Sequence, residues 1–250
     1  MKCVIFCISL LIISSNLASQ VMDSHSLFDT NYDKAFVKKH KIQQVIIRST
    51  IGGRKPSVSL FEFDKNGFLL KESISDSPNK KVNEYWFKYN SYGDLIERVN
   101  KNYELGKTYT STWDRTYKDN LLVSERWSLQ PFTTQFTYYS DGRLKQSVSS
   151  MGEDSIKSIK SYKIFNYDSS GILQSIHEAI ENPVGNMQVF EKTEFIRDSK
   201  GRIVAINKLN GFPSVITYDM KGFIKTRRLK MTEEFGNIEM LDDYEFVFWK

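Results

Sequence analysis

Hydrophobic and polar residues alternate along most of this chain, from about residue 43 to the C-terminus. Aromatic residues often lie two positions apart, as in Phe61 and Phe63, or Phe165 and Tyr167. Such pairs lie on one face of a β-strand, because side chains of a strand alternate between its two faces. The pattern therefore predicts a succession of half-buried strands.

A nine-residue motif recurs within this alternation. It reads aromatic, any residue, aromatic, Asp, any two residues, Gly, any residue, aliphatic, and one copy spans residues 165–173. The Asp side chain can accept a backbone N–H two residues later and so open a type I turn. The Gly suits the left-handed conformation that closes a hairpin loop with a bulge. Further copies span residues 61–69, 87–95, 136–144, 195–203 and 216–224, and a decayed copy spans 117–122.

The motif assigns turn-forming roles to its repeated Asp and Gly residues. Asn90 can substitute for Asp, Asn120 stands where Gly is expected, and Tyr139 departs from the Asp position. A calcium site would need several oxygen ligands to converge, whereas each copy offers a single Asp. The predicted turn residues are Asp64, Gly67, Gly93, Gly142, Asp168, Gly171, Asp198, Gly201, Asp219 and Gly222.

A second series of turn signals, such as Asn210-Gly211, alternates with the motif turns. Together the two series predict an all-β fold: a long antiparallel up-and-down meander of about sixteen strands. Regular repeats that stack on their neighbours leave no domain boundary within residues 43–250. Residues 20–42 are predicted to form a short helix, around Ala35 to Val37, or an extended N-terminal arm.

The sequences Tyr167-Asp168-Ser169-Ser170-Gly171-Ile172-Leu173 and Tyr218-Asp219-Met220-Lys221-Gly222-Phe223-Ile224 resemble the YD or Rhs repeat of bacterial secreted and surface proteins. The resemblance covers roughly residues 57–230. It implies sheets that coil into a spiral or shell; some members of that family enclose a toxin domain, and others have been called carbohydrate-binding or wall-associated. Because this chain shows no toxin domain after the repeats and few strands, the expectation is a curved or coiled sheet, or a small closed structure.

The first nineteen residues have the features of a secretory signal peptide. Lys2 precedes an apolar run over residues 4–13, and Leu17-Ala18-Ser19 offers a small-residue cleavage site. Both cysteines, Cys3 and Cys7, lie within this segment. The sequence thus predicts an exported chain without disulfides, located in the periplasm, on the outer surface or in the medium. No membrane span is expected after cleavage.

Charge and motif content argue against several classes of function. The formal net charge is +5, with basic and acidic residues interleaved, so no nucleic-acid partner is expected. His25, His40 and His177 are far apart, so neither a metal site nor a cofactor is predicted. Residues 144–148 illustrate strands that are too polar for the lipid-facing wall of a membrane barrel.

The sequence also contains no recognisable catalytic constellation. Glu233-Glu234 and Asp242-Asp243 are adjacent pairs, and neighbouring strand residues point to opposite faces. A glycosidase needs two carboxylates facing one cleft. The chain is therefore expected not to be an enzyme, with a glycan-acting enzyme as an alternative.

Four aromatic residues are the candidate ligand-binding groups. If the turn near Asp119 pairs its strands, Trp113 and Trp127 are predicted to be diagonal neighbours on one face, with Tyr109 and Tyr117 beside them. That face is either part of the core or an aromatic platform for a glycan or peptide.

Three hypotheses for function follow. The first is an exported binding or scaffold protein of the bacterial envelope or surface, whose partner is a polysaccharide or another envelope protein. The second is the glycan-acting enzyme. The third is a structural protein that assembles through sheet edges. The sequence leaves the oligomeric state open.

Overall fold

The computed structural model describes residues 34–77, 80–128, 132–151, 160–181, 185–210, 212–230 and 238–249. The predicted signal peptide, and the arm as far as residue 33, lie outside these ranges. One short helix, α1, spans Lys34–Lys39. The strands are β1 Ile42–Ile51, β2 Ser57–Phe63, β3 Leu69–Ser77, β4 Lys80–Tyr89, β5 Leu95–Asn102, β6 Lys107–Lys118, β7 Leu121–Trp127, β8 Phe132–Tyr138, β9 Leu144–Met151, β10 Lys160–Tyr167, β11 Leu173–Glu181, β12 Met187–Arg197, β13 Ile203–Lys208, β14 Ser214–Tyr218, β15 Ile224–Lys230 and β16 Glu239–Phe248.

The sixteen described strands form one antiparallel sheet that closes into a barrel. Each strand pairs with its neighbours in sequence, and β1 pairs with β16, with Val45 opposite Phe246 and Ile47 opposite Tyr244. The predicted meander and strand number are thus confirmed, whereas the expected curved or coiled sheet is wrong. Closure also removes the free sheet edges on which the assembly hypothesis rested.

The motif turns share one hydrogen-bond arrangement, seen clearly at Asp168. Its Oδ1 accepts the backbone N–H groups of Ser170 and Ile172, both at 2.9 Å. The backbone N–H of Gly171 donates to the carbonyl of Asp168 at 3.0 Å. This closed loop needs the left-handed φ of +85° at Gly171, a conformation that a β-carbon disfavours. The predicted turn glycines at 67, 93, 142, 171, 201 and 222 all have φ between +79° and +91°.

A bulge accompanies every motif turn. In the fifth hairpin the pairing shifts between Asn166 and Tyr167, so that Gln174 is an extra residue on the return strand. The same shift occurs in the other motif hairpins, between residues 62 and 63, 88 and 89, 116 and 117, 137 and 138, 196 and 197, and 217 and 218. Because bulges bend and twist a sheet, seven of them at the same end favour closure over a spiral.

The decayed third copy forms a different turn from the one expected. Lys118 pairs directly with Leu121, leaving a two-residue loop in which Asp119 and Asn120 have φ of +50° and +63°. Positive φ at both positions is typical of a type I′ turn, which Asn and Asp tolerate. Asn120 therefore does not replace a motif glycine in a longer loop.

In four of the seven motif hairpins, the second aromatic residue is a tyrosine that bonds to the preceding hairpin. The Tyr167 hydroxyl donates to the carbonyl of Leu144, the first residue of β9, at 3.0 Å. Tyr89, Tyr138 and Tyr218 make the equivalent bond to the preceding hairpin, at 2.7–3.0 Å. In the hairpin that carries Arg197 instead, its guanidinium donates to the corresponding carbonyl of Leu173. The motif thus specifies the hairpin and its attachment to a neighbour.

Helix α1 packs at the end of the barrel where the motif turns lie. Val37 is buried in the core, and the Phe36 ring lies 5.8 Å from the Phe223 ring. A β-carbon on Gly67 would lie only 2.2 Å from the carbonyl oxygen of Lys34. The chain leaves α1 beside β16, where the N–H of Trp249 donates to the carbonyl of Lys41. Among the described residues, no helix is long and apolar enough to span a membrane.

The inner face of the sheet holds most of the buried apolar side chains, together with charged residues such as Arg227 and Asp242. The buried apolar strand residues, Ala179 apart, lie on the inner face, including Val45, Phe61, Trp113 and Ile206. The outer face carries ion pairs such as Arg48 with Glu245 at 2.8 Å. The outer face also carries exposed apolar side chains, among them Trp86 and Val215.

Candidate ligand-binding site

Of the four predicted aromatic residues, Trp113 and Trp127 lie together on the inner face. Trp113 and Trp127 are 5% and 9% exposed, and their rings stack 6.3 Å apart at an interplanar angle of 11°. Tyr109 lies on the same face of β6, four residues from Trp113 and farther from the motif turns. Tyr117 is at the motif end of β6, where its hydroxyl bonds to Asp94 and Asn90. Tyr109 and Tyr117 therefore lie toward opposite ends of β6, each four residues from Trp113.

The relation between the two tryptophans differs from the predicted one. Trp113 is directly opposite Trp127, not diagonal to it. The reason is the bulge between Thr116 and Tyr117, which shifts the pairing of β6 and β7 by one residue. Sequence alternation places residues on a face correctly, but it does not reveal a bulge.

Polar residues of β4 and β5 lie beside these aromatic rings. Tyr85 is opposite Asn100, Asn100 is opposite Tyr109, and Arg98 is opposite Ser111. Asn83 lies two residues from Tyr85 on the same strand and face. We call this part of the inner face the β4–β6 wall; its members are Asn83, Tyr85, Arg98, Asn100, Tyr109 and Trp113.

Three buried polar atoms of the β4–β6 wall have no hydrogen-bond partner among the described residues. They are Asn83 Oδ1, Asn100 Oδ1 and Arg98 Nε. Buried polar groups in folded proteins are nearly always hydrogen-bonded, because removing them from water without a partner costs about 1–3 kcal/mol each. The wall therefore concentrates unused donors and acceptors on two adjacent strands.

The Arg98 guanidinium lies between aromatic rings, 5.7 Å from the Tyr85 ring and 5.8 Å from the Trp113 ring. Burial lowers the pKa of Arg98 and raises that of Tyr85. On the neighbouring strand β3, burial raises the pKa of the Glu72 carboxyl from 4.5 to about 7, although the Arg98 charge opposes this. These shifts share one cause: the side chains are held largely away from water.

Solvent exposure rises along the wall away from the motif turns. Trp113 is 5% exposed, whereas Tyr109 is 41% exposed. Asn83 and Asn100 are half-buried between these extremes. A ligand that entered from the end opposite the motif turns would therefore meet Tyr109 first and the two amides next.

Sequence reasoning singled out Trp113, Trp127 and Tyr109 but missed Asn83, Arg98 and Asn100. No local motif marks these three residues. A usable signal was the alternation itself, since following one face through the turn at Gly93 and onto β6 groups them with Trp113. That step requires the register of three strands, which the bulge in each motif hairpin shifts by one residue.

Two inner-face carboxylates stand directly opposite each other elsewhere in the barrel. Glu178 of β11 pairs with Glu191 of β12. Glu178 already forms an ion pair with Lys163 at 3.6 Å, and Glu191 Oε1 accepts the N–H of Leu209 at 3.0 Å. Both carboxylates thus have structural partners.

The motif Asp residues point into their own turns, as shown for Asp168. The described residues contain no group of three or more His, Cys, Asp or Glu side chains placed to hold a metal ion. Of the histidines, His40 packs against the Phe223 ring at 5.2 Å. His177 lies on the outer face of β11, near Ser175.

Comparison with known proteins gave only distant similarities. No family model matches the sequence, and no curated protein matches it. A porin-like protein from Bacteroides uniformis is similar over 83% of this chain and 97% of that one, with 10% identity and a TM-score of 0.47. A porin-like protein from Bacteroides vulgatus is similar over 82% and 98%, with 9% identity and a TM-score of 0.40.

The Tc holotoxin pore of Photorhabdus luminescens contains a segment similar to 78% of this chain, which spans 12% of that protein's own length. The identity is 13% and the TM-score 0.33. At these values none of the similarities shows a family or a function, and the YD-type assignment stays a resemblance of motif.

Proposed function

We propose that this protein is an exported, non-enzymatic binding protein of the bacterial envelope or surface, and that its ligand is a glycan bound at the β4–β6 wall. The observation that carries the proposal is the group of unpaired buried atoms on Asn83, Arg98 and Asn100 beside the Tyr85 and Trp113 rings. Ligand sites typically combine aromatic surface with a few converging polar groups.

A glycan fits this chemistry better than a purely apolar or a highly charged ligand. Sugar hydroxyls both donate and accept hydrogen bonds, so they match the amide oxygens of Asn83 and Asn100 and the Arg98 guanidinium. The apolar face of a sugar ring can lie against Tyr109 or Tyr85. An apolar ligand would leave the three polar atoms unpaired.

Location in the envelope or outside the cell rests on the N-terminal segment and on the outer face. The signal-like residues 1–19 predict export, and the rest of the chain has no cysteine. The charged pair Arg48–Glu245 on the outer face of the closing strands favours a barrel surrounded by water, not by lipid.

The non-enzymatic part of the proposal rests on the surroundings of Glu72. Its pKa of about 7 would suit an acid or base catalyst. However, its cross-strand neighbours are Phe61 and Tyr85, so no second carboxylate stands directly opposite it. A glycosidase requires two carboxylates that face one cleft, about 5–10 Å apart. The Glu178–Glu191 pair is held instead by Lys163 and the N–H of Leu209.

The test uses residues 20–250, a glycan array to find a ligand, and isothermal titration calorimetry of that ligand against variants. Asn83→Ala and Asn100→Ala should each weaken binding about five- to tenfold, since each removes one hydrogen bond. Both variants should be at least as stable as the parent, because each removes a buried unpaired oxygen.

Asn207→Ala, on the exposed outer side of β13, is the matched control and should bind like the parent. The proposal fails if the array yields no glycan ligand, or if both wall variants bind as tightly as the control. Hydrolysis of the bound glycan would replace it with the enzyme alternative.

A further inference from the structure

We propose a second binding site, at the end of the barrel that carries the motif turns, for a ligand that carries a carboxylate or phosphate group. It is a groove of about 510 Å³ between two consecutive motif hairpins, Asp198–Arg202 and Asp219–Phe223. This volume lies within the range of small-ligand sites. The site is independent of the β4–β6 wall.

The groove exists because strands β13 and β14 separate toward the motif turns. Their ladder consists of two residue pairs, Ala205 with Val215 and Ile206 with Ser214. Beyond these pairs the strands are joined by the Tyr218 hydroxyl, which donates to the carbonyl of Ile203 at 2.7 Å. The gap leaves a recess that Tyr218, Thr217 and Val204 line.

Positive charge in the groove exceeds negative charge. Lys200 and Lys221 stand at the two hairpin tips, and neither ammonium group has an ion-pair partner among the described residues. Arg202 is held by Asp198 at 2.6 Å and packs over the Tyr218 ring at 4.4 Å. The one carboxylate that lines the groove, Asp219, accepts the N–H of Phe223 within its own turn.

The position of the two lysines distinguishes this pair of hairpins. Each occupies the position directly before the turn glycine, so neighbouring turns present them side by side. The corresponding residues in the other glycine turns are Asn66, Tyr92, Asp141 and Ser170. Those turns place an uncharged or acidic group at the position.

The ligand chemistry follows from these groups. Two exposed ammonium groups on either side of a recess favour one anionic group between them, as a carboxylate or phosphate provides. The Met220 side chain, fully exposed at the edge of the groove, adds apolar contact. An acidic sugar or a phosphorylated small molecule has this combination of anion and apolar surface.

The experiment follows the backbone amide signals of Gly201 and Gly222 by NMR in the chain of residues 20–250. Inorganic phosphate and D-glucuronate are the anionic probes, and D-glucose is the neutral one. We expect saturable shifts with one or both anions and none with glucose. Added sodium chloride should weaken the binding, because both lysines are exposed.

The double variant Lys200→Ala/Lys221→Ala should weaken anion binding at least about tenfold, the loss expected for two charged contacts. Lys55→Ala/Lys107→Ala removes the same charge at the opposite end of the barrel and should bind like the parent. Absence of saturable shifts with both anions overturns the proposal. Equal weakening by the two double variants also overturns it, because that result indicates attraction to net charge alone.

Discussion

At the scale of single residues, each position of the motif has a separate physical task. Asp168 organises its own turn, Gly171 supplies the left-handed conformation, and Tyr167 bonds to the hairpin before it. The residue after the glycine also reaches the next hairpin: Arg143 packs over the Tyr167 ring at 4.8 Å, and Phe68 packs against Tyr89 at 4.7 Å. Single substitutions can therefore separate folding of a hairpin from its attachment.

Tyr167→Phe should lower the free energy of unfolding by about 1 kcal/mol, since it removes one part-buried hydrogen bond and little else. Urea denaturation measures the change. Tyr139→Phe is the control, because the Tyr139 hydroxyl is exposed and reaches the carbonyl of Phe165 only at 3.4 Å. Equal losses in the two variants would contradict the attachment role.

Glu72 and Glu84 should make the free energy of unfolding depend on pH in opposite directions. The pKa of Glu72 is raised to about 7, so its carboxyl group binds a proton more tightly in the folded state than in the unfolded state. The contribution of Glu72 to stability therefore falls as pH rises from 4.5 through 7. Glu72→Gln should therefore stabilise the protein at pH 8, by about 1–3 kcal/mol, and not at pH 4. Urea unfolding at the two pH values measures this.

Glu84 provides the matched comparison. Burial favours its neutral form, but hydrogen bonds from Lys71, Lys81 and Tyr103 outweigh that effect and lower its pKa to about 2. Glu84→Gln should destabilise the protein at pH 7, with the loss disappearing as pH falls from 4.5 toward 2. If Glu72→Gln and Glu84→Gln changed the free energy of unfolding in the same direction at neutral pH, the environments described for the two carboxylates would be wrong.

At the scale of elements, the positions of the hairpins could be predicted from the sequence, whereas the register between their strands could not. Asp and Gly spacing places the turns because the turn is local: Asp168 and Gly171 are three residues apart. The inner face followed from alternation, which grouped Trp113 with Tyr109. The sequence predicted a bulge at the turn glycine, but not the register shift deeper in each ladder or the unpaired atoms of Asn83 and Arg98, since these depend on pairing between strands.

Helix α1 should make one motif glycine more sensitive than another. Gly67 and Gly142 have nearly equal φ of +86° and +84°, so Ala costs about 1 kcal/mol of strain at either position. A β-carbon on Gly67 would also meet the Lys34 carbonyl at 2.2 Å, whereas Gly142 faces open space. Thermal unfolding should show Gly67→Ala to be clearly the more destabilising. Equal losses would mean that α1 is not docked.

At the scale of the whole molecule, closure through β1 and β16 completes a set of eight strand pairs. Seven are motif hairpins with a covalent turn, and the eighth joins the two ends of the described chain. The Phe223 ring packs against Phe246 at 5.0 Å, in the place where other hairpins meet the motif Tyr. The closing pair thus continues the repeat by packing alone.

A cysteine pair tests closure directly. Thr50 and Leu241 are opposite each other across β1 and β16, so Thr50→Cys/Leu241→Cys should form a disulfide on mild oxidation. Cys3 and Cys7 are absent from residues 20–250, and mass spectrometry of proteolytic fragments identifies the bond. Thr50→Cys/Val148→Cys, on strands that are not neighbours, should stay reduced. Failure of the first pair to oxidise would favour an open sheet.

Pairing of β1 with β16 also affects when the protein can fold. Paired residues of the two strands lie about 190 to 205 residues apart in sequence, so one side of β1 has no partner until the last strand has emerged. During synthesis, its apolar residues Val45 and Ile47 and its unpaired backbone on that side would be exposed together. We therefore expect a nascent chain of this design to be more open to wrong pairing and aggregation than one whose first strand finds both of its partners early in the sequence.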